Sequence, residues 1–310
     1  MAEKIAVIIP AKGDVAKTIG RCLKSVLDVE YPCFEIILVD DGMDDASRIH
    51  LAPFKDKITI MDSQGRGASF ARNKAAKFSD AEFVAFTDSD CIVDKDWLKE
   101  LHRAFILFPD ASGCGGAQGV PDDATAFEKL VFRFMAKANF LSDYVRTLPQ
   151  DEIVEVAHSP SCCVMYRRSV FLKEGGFLVG LWPGEDVEFD LRLRRQGYRL
   201  FFNPKAKVFH YKPKELSQFC KMMFRYGRIQ GMLFRRYGFF RKIQLVPFLS
   251  LIALILVFRP AGYFLYVFIA VSFFAIWAYF SFSLALVFLA VLAFIFWNLG
   301  FFSGVFKRIK

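Results

Sequence analysis

The chain has 310 residues, a net charge of +9, 54% hydrophobic residues and a mean hydropathy of +0.30. That length holds one sizeable domain plus something smaller, and the apolar excess, gathered at the C-terminal end, argues against a wholly soluble protein. Seven cysteines, an odd number with no C-x-x-C pair, suggest neither a disulfide framework nor a zinc site and fit reduced thiols in the cytosol.

In chain order, MAEKIAVIIPAKGD carries a short apolar run ended by Pro and charges, which reads as a first strand rather than a signal peptide. Up to about residue 110, short apolar strands alternate with helical segments as in βαβ units. The expected strands cover residues 4–11, 34–42, 57–62 and 82–90. Between the first two, Ile19, Cys22, Leu23, Val26 and Leu27 recur at helical spacing, and Tyr31-Pro32 ends that helix. Asp94 is placed to cap the helical segment that follows it. The glycines of 113–119 lack the spacing of a dinucleotide or P-loop fingerprint and are expected to serve packing. Beyond them, the pattern predicts a helix from about Ala124 to Leu141, an extended segment over 152–166, a helix over 183–197 and two short strands before residue 211.

Residues 215–238 place Phe219, Met222, Met223, Tyr226, Ile229, Leu233 and Phe234 on one helical face, with Lys221, Arg225, Arg228, Arg235 and Arg236 largely elsewhere. This is the composition of a helix lying in a membrane interface; a core helix packed on the domain is the alternative. From Ile243 to Phe306 there is no acid, and Arg259 is the only base, so the stretch reads as membrane-embedded. It divides at Arg259-Pro260 and again near Ser281-Phe282-Ser283, giving two or three helices. Residues 1–193 carry a net charge of −8, whereas residues 194–242 hold fourteen Lys/Arg against Glu215 alone. A basic collar before an apolar segment points to anionic lipid headgroups and a cytoplasmic face, and ranks nucleic acid below the membrane as a partner. The expected organisation is a body over 1–214, a juxtamembrane helix region over 215–242 and a transmembrane segment over 243–310.

The chemistry gathers at strand ends. Parallel strands place functional loops at their C-terminal ends, where Asp40-Asp41 and the Asp88/Asp90 pair both fall. Two carboxylates at the end of a buried strand repel each other and are costly to desolvate unless a positive charge sits among them. A hard divalent cation, Mg²⁺ or Mn²⁺, answers this and commonly shares its shell with a substrate's phosphates; a solvated turn is the ordinary alternative. Glu185-Asp186 opens a helix after Pro183-Gly184, where the helix dipole favours acids in any case. His210 ends a strand, a position in which a lone histidine is often structural.

Taken together and in this order, VIIPAKGD, ILVDDG, GRGASFARNKA, FTDSDC and PGEDVEFDLRLRRQGYRLFFNPKAKVFH resemble glycosyltransferase family 2 over about residues 4–211. The resemblance implies an α/β, Rossmann-like domain of the GT-A fold, followed here by the amphipathic interface helix and C-terminal transmembrane helices. It also implies roles. Pro10, Asp40 and Asp41 would hold the base and ribose of a nucleotide-diphospho-sugar, Asp41 taking the base, with Arg72-Asn73 near the same pocket. Asp88 would face the ribose or the sugar, and Asp90, with Asp88 and His210, would ligate Mg²⁺ or Mn²⁺. Asp186, beside Glu185, would be the base that deprotonates an acceptor hydroxyl for in-line attack with inversion. Arg192, Arg194 and Arg195 could face phosphates. Lys12-Gly13-Asp14 and His158-Ser159-Pro160-Ser161 depart from the family's usual elements near the base and in the acceptor-side loop. The Q-x-x-R-W of processive synthases is absent after the E-D helix, which implies one sugar per encounter.

The leading reading is therefore a metal-dependent inverting glycosyltransferase anchored in the plasma membrane, its catalytic domain cytoplasmic and its crevice open toward the bilayer. It would use a UDP-sugar ahead of a GDP-sugar and a hydroxyl on a lipid-linked or membrane-proximal acceptor. Transfer to a polyprenyl phosphate, which needs no base, is the second reading, and a catalytically silent membrane scaffold is the third.

Overall fold

A computed structural model of the chain describes residues 3–138, 151–257, 278–279 and 283–309. Its strands are β1 (Ile5–Gly13), β2 (Phe34–Met43), β3 (Thr59–Asp62), β4 (Phe83–Phe86), β5 (Cys91–Val93), β6 (Ala111–Gly119), β7 (Val154–Glu155), β8 (Val164–Arg167) and β9 (Arg199–His210). Its helices are α1 (Ile19–Leu27), α2 (Asp45–Ile49), α3 (Ala68–Phe78), α4 (Trp97–Leu107), α5 (Ala126–Lys137), α6 (Arg168–Lys173), α7 (Glu185–Arg195), α8 (Leu216–Tyr237), α9 (Val246–Val257) and α10 (Leu284–Val305). They form two units, residues 1–124 with 139–212 and residues 125–138 with 213–310. By its contacts α5 thus groups with the C-terminal helices. Residues 139–141 of the predicted helix, and most of the tail between its two predicted breaks, lie outside the described residues.

In the first unit one mixed sheet runs β3-β2-β1-β4-β8-β6-β9-β5, with β7 also paired to β9. β1 to β4 are mutually parallel, and β8 enters antiparallel to both β4 and β6. Alternation along the strands gives the sheet two apolar faces. Ile5, Val7 and Ile9 of β1 pack with Cys22, Leu23 and Val26 of α1 and Trp97, Leu98 and Leu101 of α4. Ala6 and Ile8 point the other way, to Ala71 and Ala75 of α3, Phe171 of α6 and Phe189 and Leu193 of α7. Helices on both faces explain why β1 and β2 read as unbroken apolar runs.

Two predicted strands before residue 211 are one. β9 pairs in parallel with β6 on both sides of Pro204, and the register steps from Gly116–Asn203 to Ala117–Lys207, so Pro204, Lys205 and Ala206 bulge out of the ladder. A proline has no N–H to donate there, and a bulge accommodates it without ending the strand. The extended segment over 152–166 resolves into β7 and β8 around a loop, and residues 87–90 form a turn after β4 rather than strand.

The β6 glycines do serve packing. A Cβ at Gly115 would strike the Ser159 side chain, one at Gly116 the Ala206 carbonyl and the Cys163 sulfur, and one at Gly113 the Tyr166 ring. Asp94 is not the cap expected: the N-cap of α4 is Asp96, and Asp94 accepts the Asp96 N–H (3.0 Å) in the turn before it.

In the second unit, α8 and α10 run side by side in the same direction. Cβ atoms at Gly227 and Gly231 would overlap the Trp297 and Phe301 carbonyls, and at Gly300 and Gly304 those of Phe224 and Arg228. Each helix thus supplies a G-x-x-x-G pair on which the other's backbone rests, a close approach that only glycine permits. Phe219, Met223, Ile229 and Leu233 of the predicted apolar face are buried. Thr125 caps α5 through a reciprocal bond with Glu128, and Phe134 meets Phe219 edge-on at 5.6 Å.

Candidate active site

β4 ends beside the C-terminal ends of β1 and β2, so its turn lies at the crevice edge of the sheet. Asp88-Ser89-Asp90-Cys91 is that turn, closed by the Cys91 N–H donating to the Asp88 carbonyl at 3.0 Å. It delivers the chain into β5, whose Cys91 stands opposite His210 in antiparallel register. The pairing is why residues so far apart in sequence share one site: His210 Nε2 lies 3.3 Å from Asp90 Oδ1. Donor atoms of Asp88, Asp90, Cys91 and His210 all lie within 4.8 Å of one another. Two carboxylate oxygens and an imidazole nitrogen at that spacing fit Mn²⁺ or Mg²⁺.

The metal-free electrostatics show the same preference for positive charge. Burial and the Lys212 ammonium oppose protonation of His210, but the Asp90 carboxylate outweighs both and pushes the imidazole up to about 10. Lys212 itself is almost fully buried, its Nζ 3.2 Å from His210 Nδ1 and 3.2 Å from Gln118 Oε1. Burial pulls its pKa below the usual range, against the neighbouring thiols and carboxylates. A hydrogen bond from Cys91, aided by the His210 imidazole, pulls the Cys162 thiol down to about 6 in spite of its burial.

A protein cation also sits among the acids. Arg72, from α3, is buried, and its guanidinium bonds Asp88 with one Nη and Glu185 Oε1 with the other, the latter at 2.8 Å. The resemblance set Arg72 near the nucleotide; the structure aims its guanidinium at the two acidic motifs, which it joins. Glu185 Oε1 also accepts from the Ser161 hydroxyl at 3.3 Å, while its Oε2 is buried with no hydrogen-bond partner among the described residues. Burial, then the Asp186 charge, push Glu185 up to about 7, with Arg72 pulling the other way.

Asp186 is the accessible member of the pair. It is partly exposed, and its Oδ2 accepts from the Ser161 N–H at 2.9 Å. One turn further along α7, Asp190 is fully buried and accepts from the Tyr166 hydroxyl (2.7 Å) and the Ser159 N–H (2.7 Å), with His158 Nδ1 at 2.8 Å. The departing loop His158-Ser159-Pro160-Ser161 is therefore strapped to the acidic helix at both ends. Burial raises the Asp190 pKa against these partners.

At the end of β2, Asp40 accepts from the Gly42 and Met43 N–H groups (2.9 and 2.7 Å) and from Arg48 Nε (2.8 Å). Burial works against its ionisation, and these donors override it to hold the carboxyl below the ordinary range. Asp41 is buried; its Oδ1 accepts from Ser63 Oγ (2.6 Å) and the Gly67 N–H (2.8 Å). Its Oδ2 has no hydrogen-bond partner among the described residues and lies 3.4 Å from the Lys12 ammonium. Pro10 pairs in register with Val39 just behind this pair.

The arginines after the acidic pair do not share the site. Arg192 bonds Glu188 at 3.0 Å and the Gly176 carbonyl at 2.8 Å. Arg194 and Arg195 sit exposed in the last turn of α7, about 14 Å along the axis from Glu185. Asp190, Lys212, Cys91 and Cys162 were not singled out from sequence as site residues, and Ser161 only as part of the departing loop. Two had a local signal: Asp190 stands one turn beyond Asp186, and Lys212 two residues past His210, the same-face spacing of a strand.

Comparison with known proteins bears on this arrangement. Dolichyl N-acetyl-alpha-D-glucosaminyl phosphate 3-beta-D-2,3-diacetamido-2,3-dideoxy-beta-D-glucuronosyltransferase of Methanococcus voltae is 24% identical over 266 residues, 79% of this chain and 78% of the relative. Glucosyl-dolichyl phosphate glucuronosyltransferase of Haloferax volcanii is 24% identical over 220 residues, 67% of this chain and 69% of the relative. A solved structure of the mannosyltransferase PcManGT from Pyrobaculum calidifontis, in complex with GDP-Man and Mn²⁺, superposes with a TM-score of 0.64 at 16% identity, covering 94% of this chain and 87% of that one. Residues 6–175 match the family model for glycosyl transferase family 2. Since that match spans more than half of the chain and carries the strand-end acids Asp40, Asp41, Asp88 and Asp90, the protein belongs to glycosyl transferase family 2 and is a glycosyltransferase of GT-A fold.

Proposed function

We propose that this glycosyltransferase is membrane-associated and metal-dependent, and that it transfers one sugar with inversion from a nucleotide-diphospho-sugar to a hydroxyl of a lipid-linked acceptor. The observation that carries the reading is the buried Arg72 bridge between Asp88 and Glu185, which fixes the donor-side turn and the acidic helix in one frame. Asp88, Asp90 and His210 would hold Mg²⁺ or Mn²⁺, which when bound neutralises the diphosphate leaving group. Lys212, beside His210, adds a cation that suits the same phosphates. Asp41 Oδ2, a buried oxygen at the end of β2 that faces the Lys12 ammonium but takes no hydrogen bond among the described residues, would accept an N–H of the base; Asp40 and Pro10 would shape the ribose side. UDP is the nucleotide expected first.

Asp186 is the general base. Its carboxylate is partly exposed and oriented by Ser161, whereas Glu185 is committed to Arg72. Attack by the deprotonated hydroxyl on the anomeric carbon breaks the bond to the diphosphate in one displacement, and one displacement inverts configuration.

The named activities of the two archaeal relatives support a lipid-linked hydroxyl: each name gives a dolichyl phosphate that already bears a sugar. α10, 22 mostly apolar residues and about 33 Å long, is sufficient to cross a bilayer core and supports membrane association. Residence in the plasma membrane with a cytoplasmic catalytic domain and contact with anionic lipids follow from the basic collar.

Asp186→Asn separates the two acceptor classes. With a sugar-bearing polyprenyl phosphate as acceptor, kcat is expected to fall by about 10²–10⁴-fold while donor binding persists. Undiminished transfer by the variant would mean that the attacking group is already an anion, and the polyprenyl-phosphate reading would replace this one.

A further inference from the structure

His210 faces two sets of donors. It groups with the Asp88 and Asp90 carboxylates and the Cys91 thiol, and also with two thiols, Cys91 at the start of β5 and Cys162 in the loop before β8. One donor atom from each of Cys91, Cys162 and His210 lies within 4.8 Å of the other two. Both cysteines are buried, at 1% and 5% exposure, and both are free. A tetrahedral ion with bonds of about 2.3 Å to sulfur and 2.0 Å to nitrogen sets donor separations of roughly 3.3–3.8 Å, so closure asks about 1 Å of these side chains.

Nor are the thiols placed loosely. Cys91 is held opposite His210 by the β5–β9 ladder, and the neighbour of Cys162, Ser161, is held by Asp186 and Glu185. Sequence spacing gave no zinc pattern because the three ligands come from separate segments and converge only in the fold. Two sulfurs and an imidazole nitrogen select a borderline-to-soft divalent ion, where carboxylates and phosphates select a hard one.

From this geometry we infer that Cys91, Cys162 and His210, with Asp90 as the adjacent oxygen donor, form a second, thiophilic metal site for Zn²⁺ that overlaps the donor-binding metal site. Each thiol gives up its proton on ligation. His210 cannot serve both ions, so Zn²⁺ excludes the hard ion, and it also ties down the loop whose Ser161 orients Asp186. Zn²⁺ is then an inhibitor that acts through Cys91 and Cys162, to which the proposed transfer assigns no role as hard-metal ligand, base or nucleotide contact. The competition rests on the metal assignment proposed above; the thiolate ligation does not.

The test uses the full chain in detergent, with Co²⁺ as the spectroscopic probe for Zn²⁺ and Mn²⁺ binding followed by electron paramagnetic resonance. Expected are a near-ultraviolet sulfur-to-cobalt charge-transfer band that saturates at one equivalent, its removal by Zn²⁺, and release of bound Mn²⁺ by the same Zn²⁺. Cys91→Ser and Cys162→Ser should each abolish the band and weaken Zn²⁺ displacement of Mn²⁺ by at least about tenfold, while retained Mn²⁺ binding shows that the site is folded. No band in the wild type, a band that survives both substitutions, or equal displacement from the variants would overturn the inference. A thiol-dependent band in protein that binds no Mn²⁺ would uphold the thiol site and refute the donor-metal assignment instead.

Discussion

Arg72 and Glu185 show how a local motif acquires its chemistry from a distant one. Each acid was visible in sequence because strand ends and helix starts are places where carboxylates matter, and His210 because it closes a strand in the same crevice. The partner each acid takes was not visible: that Arg72 would leave α3 to bridge Asp88 and Glu185 depends on packing between α3 and α7. The Cys91–Cys162 approach was hidden for the same reason. The burial of Glu185 has a consequence for stability. Glu185 sits near 7 in the fold against an ordinary value of 4.5, because burial and Asp186 outweigh Arg72. Between those values the folded chain holds a proton that the unfolded chain has lost, so this group's contribution turns against folding as pH rises from about 4.5 to 7. Glu185→Gln should remove that decline, on the order of 3 kcal/mol at about 1.4 per pKa unit, in denaturant melts run across the window. An unchanged pH slope in the variant would show that Glu185 ionises as an ordinary carboxyl.

At the scale of elements, the period of the apolar residues located β1, β2, α1, α7 and α8, and failed where backbone contacts decide. β9 continues through Pro204 because a bulge takes up three residues, and residues 87–90 turn because β5 pairs with β9 instead of extending β4. The G-x-x-x-G pairs of α8 and α10 are the clearest case: the apolar face of α8 was legible, but not that its glycines meet a second glycine pair some seventy residues on. Since each glycine carries a backbone of the other helix, Gly231→Ile and Gly300→Ile should each destabilise the helical unit by about 1–3 kcal/mol or more. Gly20→Ala in α1, where a Cβ meets nothing, should be neutral or stabilising by up to about 1 kcal/mol. Thermal melts in detergent compare the three; equal behaviour would mean that α8 and α10 do not rest on each other there.

At the scale of the whole molecule, an acidic body over residues 1–193, with a net charge of −8, is followed by a basic and then apolar remainder. The fold was legible because its order of elements is that of one family, and the acids of the candidate site because carboxylates at strand ends and helix starts stand out in sequence. The loop at His158–Ser161 was legible only as a departure; its bonds to Asp186 and Asp190 tie it to the acidic helix. The central claim is that Asp88, Asp90 and His210 hold the metal through which a nucleotide-diphospho-sugar is bound. The most direct measurement is a calorimetric titration of the detergent-purified chain with UDP- and GDP-sugars, with and without Mn²⁺, wild type against Asp90→Asn. The result expected is Mn²⁺-dependent binding of one donor that weakens by at least about tenfold in the variant. Binding that is equally tight without metal, or unchanged in Asp90→Asn, would contradict it.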